Sequence, residues 1–162
     1  MQFSIGVEYA FHSLFYMVDL PERKTLGIKP IAELHGITES YLSKIFAKLR
    51  KAGIVRSITG VKGGYELARR ADDVSFWDII EAIEGSSFFF QCAEIRKKNI
   101  FVDDPSVFTD ECPCLIKKVI QEAEELFRNR LKTKSLRWLY DQVHNDFSEG
   151  KKRAISAWIK TI

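Results

Sequence analysis

The chain has 162 residues, 46% of them apolar and 12% aromatic, which excludes a disordered polypeptide and allows one buried core with a smaller attached element. Its net charge is only +3, no apolar run approaches the roughly 18 residues a membrane span needs, and MQFSIGVEYAFHS lacks the basic start and cleavage site of a signal peptide, so a cytoplasmic protein without a membrane partner is expected. Three cysteines, Cys92, Cys112 and Cys114, are an odd number for a reducing compartment, where metal binding, redox chemistry or plain burial must account for them.

Phe3 to Leu20 reads as one largely apolar helix, with Ser4 as its cap and Pro21 as its stop. Glu8 and His12 stand four residues apart within it and share a face. Such a pair is more often a surface hydrogen bond than a ligand set, yet between Val7, Ala10, Phe11, Leu14 and Phe15 a carboxylate and an imidazole need water or a partner. The polar link PERKTLGIK leads to a short helix from Pro30 that Gly36 ends, with His35 as a helix-end or surface residue.

Thr38 then caps a second helix running to Gly53. Leu42, Ile45, Phe46 and Leu49 form its apolar stripe, while Ser40, Ser43, Lys44, Ala47 and Lys51 share the opposite face. Ile54 to Ile58 alternates as a strand, the glycines Gly60, Gly63 and Gly64 reverse the chain, and Tyr65 to Leu67 returns. Two short helices meeting at Gly36-Ile37-Thr38, followed by a hairpin, predict a winged helix-turn-helix in a mainly α chain. Lys44 to Arg70 holds eight Lys or Arg against the single acid Glu66, a local +7 in a chain of +3. The remainder is therefore net acidic, and a polyanion meets one positive face. The short side chains between the lysines let a helix approach base edges, so double-stranded DNA is the predicted partner. Ser40, Tyr41, Ser43, Lys44, Lys48, Arg56 and Lys62 are the candidate contacts.

Ser75 caps a helix from Phe76 to Glu84 stopped by Gly85, with Trp77, Ile79, Ile80 and Ile83 facing a core. Ser86 to Glu111 has no sustained period and carries Phe88-Phe89-Phe90, Cys92, the basic patch Arg96-Lys97-Lys98 and Asp103-Asp104-Pro105. Long irregular segments of this kind are commonly functional. From Pro113 a long amphipathic stripe (Ile116, Val119, Ile120, Ala123, Leu126, Phe127, Leu131) returns, with Thr109 or Asp110 as its expected cap. Pairing two copies through such a helix suits a palindromic operator, so a homodimer is expected. Ser135 caps a further helix, and the basic tail after Gly150 closes as a short one. The predicted organisation is a DNA-binding domain over 1–85, a sensor loop over 86–112, and a dimerisation helix with C-terminal helices over 113–162. No phosphate-binding glycine loop, nucleophile elbow or His-Glu-x-x-His pattern supports an enzyme.

The stretches YLSKIFAKLRKAGIV at 41–55 and GVKGGYELA at 60–68 resemble the bacterial winged-helix regulators that include IscR, NsrR and RsrR. Thr59 and Val61 depart from the commonest wing pattern, which shifts the implied wing contact toward Lys62 or Arg56. In the cluster-binding members the resemblance implies a dimer with an iron-sulfur cluster shared between subunits. The cysteine spacing here, with Cys92 far from Cys112 and Cys114, fits a compact three-cysteine cage poorly. It is similar to the RsrR type, in which a 2Fe-2S cluster is held by Glu8 and His12, in a GVExAxH setting, and by two cysteines among Cys112, Cys114 and Cys92. Thiolate ligands suit iron, and a carboxylate in the set makes a cluster labile or tunable. The alternative is a cofactor-free regulator that senses by oxidation of Cys112 or Cys92.

Overall fold

The computed structural model describes residues 2–162 except 61, 62, 87, 88, 110, 112 and 113. The predicted sites Lys62 and Cys112, the candidate cap Asp110, and Pro113 lie outside the described residues. The chain forms two compact units, Gln2–Ser86 with Leu131–Ile162, and Ser87–Arg130. The fold is mainly helical with one two-stranded antiparallel hairpin, as the sequence predicts.

The larger unit is built on α1 (Ile5–Phe15), α2 (Ile28–His35) and α3 (Glu39–Lys51). Gly36 ends α2 in the left-handed region (φ 65°), which lets the chain turn at once into Thr38, whose hydroxyl accepts the Tyr41 N–H and starts α3. The apolar stripe of α3 (Leu42, Ile45, Phe46, Leu49) is buried. Strands β1 (Val55–Ile58) and β2 (Gly64–Leu67) pair with Val55 opposite Leu67 and Ile58 opposite Gly64. Leu26 extends this hairpin by a further rung, exchanging both backbone hydrogen bonds with Tyr65 at 2.9 and 2.8 Å. The Tyr65 ring packs on Phe46 at 4.9 Å, so the wing rests directly on the buried face of α3.

Helix α1 is shorter than expected, ending at Phe15 rather than Leu20. There the hydrogen bonding tightens, Met17 N–H to Leu14 and Val18 N–H to Phe15, which turns Met17 into the core, and Arg137 of the later α6 (Leu136–Asn145) holds Asp19 at 2.8 Å. A tertiary tether overrides the local helical pattern. Ser4 occupies the cap position, but its hydroxyl and N–H both donate to Glu84 at the end of α4 (Phe76–Glu84) instead of capping α1.

Ser75 and Asp78 form a reciprocal capping box, with Ser75 Oγ accepting from Asp78 N at 3.1 Å and Asp78 accepting from Ser75 N at 2.7 Å. Backbone bonds from Phe76 to Lys134 and from Leu136 to Val74 tie this corner to the start of α6. Ser75→Ala is expected to lower the unfolding free energy by about 1–2 kcal/mol, read as a shifted urea midpoint with an unchanged slope. The chain then ends in α7 (Glu149–Thr161), capped by Ser148 and longer than the short closing helix expected.

The smaller unit contains α5 (Leu115–Lys132) for most of its length, preceded by irregular chain with 3-10 turns at Ile95–Lys98 and Pro105–Val107. Glu124 is buried, pairs with Arg128, and accepts the Phe89 N–H at 3.1 Å, while the Phe89 ring lies 5.5 Å from Phe127. One face of α5 remains exposed and apolar: Leu115, Ile116, Val119 and Leu126 are each more than 60% accessible.

Candidate nucleic-acid interface and two ligand pairs

With its apolar stripe buried, α3 presents Ser40, Tyr41, Ser43, Lys44 and Ala47 to solvent. A helix whose exposed surface is short hydroxyl side chains around one lysine can lie close to a groove floor while the lysine reaches a phosphate. Two other candidates have protein partners. Lys48 Nζ donates to the Ile83 carbonyl at 2.6 Å, closing the C-terminus of α4, and Arg56 donates to its cross-strand neighbour Glu66 at 2.6 Å. Tyr41 is shared, since its ring meets that of Tyr9 edge-on at 6.0 Å while the residue stays partly exposed.

On α1, Glu8 and His12 point outward, with side chains 70% and 64% exposed, and their nearest charged atoms lie 3.9 Å apart. Behind them sits a group of rings that the sequence did not reveal. His35, at the last turn of α2, lies 6.2 Å from His12, 6.0 Å from Tyr9 and 6.3 Å from Tyr16. Its Nε2 is buried with no hydrogen-bond partner among the described residues. Burial, reinforced by the neighbouring His12, holds the His35 imidazole below its ordinary range, and burial pushes the Tyr16 phenol up. His35 therefore links α1 to the turn that sets α3, and Tyr9 touches both His35 and Tyr41.

The smaller unit supplies a second pair. Cys114 is buried and stands immediately before α5, where the backbone N–H groups of Lys117 and Ile116 donate to its sulfur and its carbonyl accepts from Lys118 at 2.9 Å. It is thus the N-cap, the place the sequence reading gave to Thr109 or Asp110; Thr109 stands too far ahead of Leu115 to serve. The Lys117 N–H bond is the largest influence holding the Cys114 thiol below its ordinary range, and Ile116, Cys92 and the Arg96 charge act the same way against burial. Cys92 donates to Glu94 Oε1 at 3.5 Å and lies close enough to Cys114 for the two thiols to shift one another. The Glu94 N–H draws the Cys92 thiol down, but burial, the Glu94 carboxylate and Cys114 together leave it raised. Arg96 in turn holds Glu94 at 2.7 Å and keeps its carboxyl low.

Among the described residues no three of these side chain types come together as a metal cage. Glu8 with His12, and Cys92 with Cys114, are each a pair.

Comparison with known proteins identifies the architecture. A family model described as "Rrf2: Iron-dependent Transcriptional regulator" matches residues 3–142. The chain belongs to the Rrf2 family. It is 29% identical to YwgB of Bacillus subtilis (strain 168) over 143 residues, covering 88% of this chain and 86% of that one. To the NsrR regulator of Shouchella clausii it is 25% identical, over 76% of this chain and 77% of the other. Among solved structures, T. potens IscR superposes with a TM-score of 0.66 at 25% identity, covering 94% and 96% of the two chains. CymR, the global cysteine regulator of B. subtilis, gives 0.60 at 22% identity over 88% and 98%, which speaks to fold alone. Membership in Rrf2 makes this chain a transcriptional regulator, and its fold is a winged helix-turn-helix. Among the described residues no helix is long and apolar enough to cross a membrane.

Proposed function

We propose that this Rrf2 regulator works in the cytoplasm as a homodimer whose affinity for a palindromic operator is set by a shared 2Fe-2S cluster. The carrying observation is the two ligand pairs, Glu8 with His12 on the exposed face of α1 and Cys92 with Cys114 at the start of α5, each with two donors and neither sufficient alone. Glu8 and His12 of one protomer, with Cys114 and one of Cys112 or Cys92 of the other, make up a four-donor set. The donors fit the group: Cys114 is held toward thiolate by backbone N–H bonds, and His12 is free to offer its imidazole from an exposed face. The exposed stripe Leu115, Ile116, Val119 and Leu126 on α5 supports the dimer, since a face of this kind calls for a cover. Such a cluster supplies one-electron redox chemistry and sensitivity to oxidants or nitric oxide.

The protein's part is transmission. His12 contacts His35 at the end of α2, and Tyr9 contacts both His35 and Tyr41 in α3, so a change in how His12 is held reaches the reading helix through packed rings. The bias is only as large as the difference in affinity between the two states for DNA. Anaerobically purified protein is expected to be coloured, with iron and sulfide in equal amounts, and to lose both in His12→Ala. A colourless wild type free of iron removes the cluster from the proposal. The closeness of Cys92 and Cys114 favours a second reading for that case, direct sensing by thiol oxidation, which differential alkylation before and after peroxide detects.

A further inference from the structure

Two groups of cations take no part in the reading helix: Arg23, Lys24 and Lys29 around the start of α2, and the basic tail that forms α7. The structure brings them together. A cavity of about 620 Å³ is bordered by Arg23 and Lys24 from the link, by Lys29 from the first turn of α2, by Lys160 from α7, by Gly63 of the wing, and by Glu33 as the one acidic side chain in its lining. Arg23, Lys29 and Lys160 are exposed, and none of them forms an ion pair among the described residues. Lys24 is spent differently, donating to the Ile162 carbonyl and so fastening the end of α7 to the link.

We infer that Arg23, Lys29 and Lys160 form a second contact for the DNA backbone, beside the wing and apart from the face of α3. Position supports this. The Leu26–Tyr65 bridge ties the chain between Arg23 and Lys29 to the wing at one rung, so these cations travel with the wing wherever it meets a duplex. Lys29 and Pro30 stand in the first turn of α2, whose cap residue Gly27 has no side chain to satisfy the free N–H groups there. Charge supports it too, because unpaired cations from separate elements surround one concavity in a chain that is net acidic outside Lys44 to Arg70. The cations are spread and solvated, which suits successive phosphates of a polyanion better than one small buried anion. Arg23 is also held at φ 61°, a left-handed conformation that a non-glycine residue adopts at a cost, and the Lys24 N–H bond to Pro21 closes that turn. Lys160 lies beyond residues 3–142, so this contact uses part of the chain that the family model does not reach.

The inference rests on DNA binding by this regulator but not on the cluster. Its test is the salt dependence of binding to a fluorescein-labelled mixed-sequence duplex, followed by anisotropy between about 50 and 200 mM salt. The triple variant Arg23→Gln, Lys29→Gln, Lys160→Gln keeps side chain length and removes three charges. Each phosphate contact contributes about 0.9 to the slope of log affinity against log salt, so a loss of between about two and three per bound protomer is expected, with affinity weakened at least about 10- to 100-fold. Lys44→Gln, measured alongside, is expected to lower the slope by about one. If Lys44→Gln shifts the slope and the triple variant does not, the second contact is overturned while the reading helix stands. If neither shifts it, both are overturned. If the triple variant binds DNA as wild type does but loses calorimetric binding of inorganic phosphate, the cavity holds a free anion and the DNA contact is overturned. Unchanged circular dichroism and urea midpoints establish that the variants are folded.

Discussion

Alanine at Cys114 is expected to bleach anaerobically purified protein and also to loosen the start of α5, whereas serine is expected to bleach it while leaving α5 intact. The separation follows from the cap this sulfur forms and the ligand role proposed for it. As the N-cap it accepts the Lys117 and Ile116 N–H groups that α5 cannot satisfy internally. Serine is among the best residues for that place, and replacing a capping side chain by alanine costs about 1 kcal/mol. As the proposed iron ligand the same sulfur is poorly replaced by a hydroxyl, because an alcohol is a harder donor and is far less readily deprotonated than a thiol. Visible absorption and iron content report the ligand role; urea midpoints and amide exchange at the first turn of α5 report the cap. If Cys114→Ser keeps full colour and iron, Cys114 is a cap only, and the ligand role passes to Cys92 and Cys112. If Cys114→Ala leaves both colour and exchange unchanged, neither role is real.

Much of the fold was legible because its signals are local. Ser75 and Gly85 bracket α4 at the residues the sequence indicates, and Thr38 and Gly36 set the helix-turn-helix by side chain and φ alone. The misreadings share a different cause. Leu20 looks helical, but the Arg137–Asp19 pair from 118 residues away fixes a turn there. Ser4 looks like a cap, yet its hydroxyl goes to Glu84, 80 residues on. The carbonyl that the end of α4 offers to the Lys48 ammonium is equally invisible in the sequence. The ring contacts of His35 with His12 and Tyr9 belong to the same class, since nothing in the spacing of residues 9, 12 and 35 announces that they meet. Partners distant in sequence decided each case, and a sequence read alone shows propensities rather than partners.

Gly64→Ala is expected to lower the unfolding free energy by about 3 kcal/mol, toward the upper end for overpacking, and to weaken DNA binding with it. A Cβ at Gly64 would sit 2.8 Å from the carbonyl carbon and oxygen of Leu26 and from Thr25 Oγ1. Two of those three atoms are backbone, so no rotamer change relieves the contact. The strand must move away from Leu26, breaking the paired hydrogen bonds between Leu26 and Tyr65. Tyr65 then withdraws from Phe46, which is fully buried on the inner face of α3, and that helix loses part of its support. Gly150→Ala is the matched control. It lies in the first turn of α7, its added Cβ would approach Ser148 Oγ no closer than 3.9 Å, and alanine in a helix is favoured over glycine by about 0.5–1 kcal/mol. The control should therefore raise the urea midpoint while Gly64→Ala lowers it. Equal midpoints for Gly64→Ala and wild type would mean that the wing can leave Leu26 at no cost. The link would then no longer be anchored to the wing at the Leu26–Tyr65 bridge, and the placement of Arg23 and Lys29 beside it would lose its physical basis.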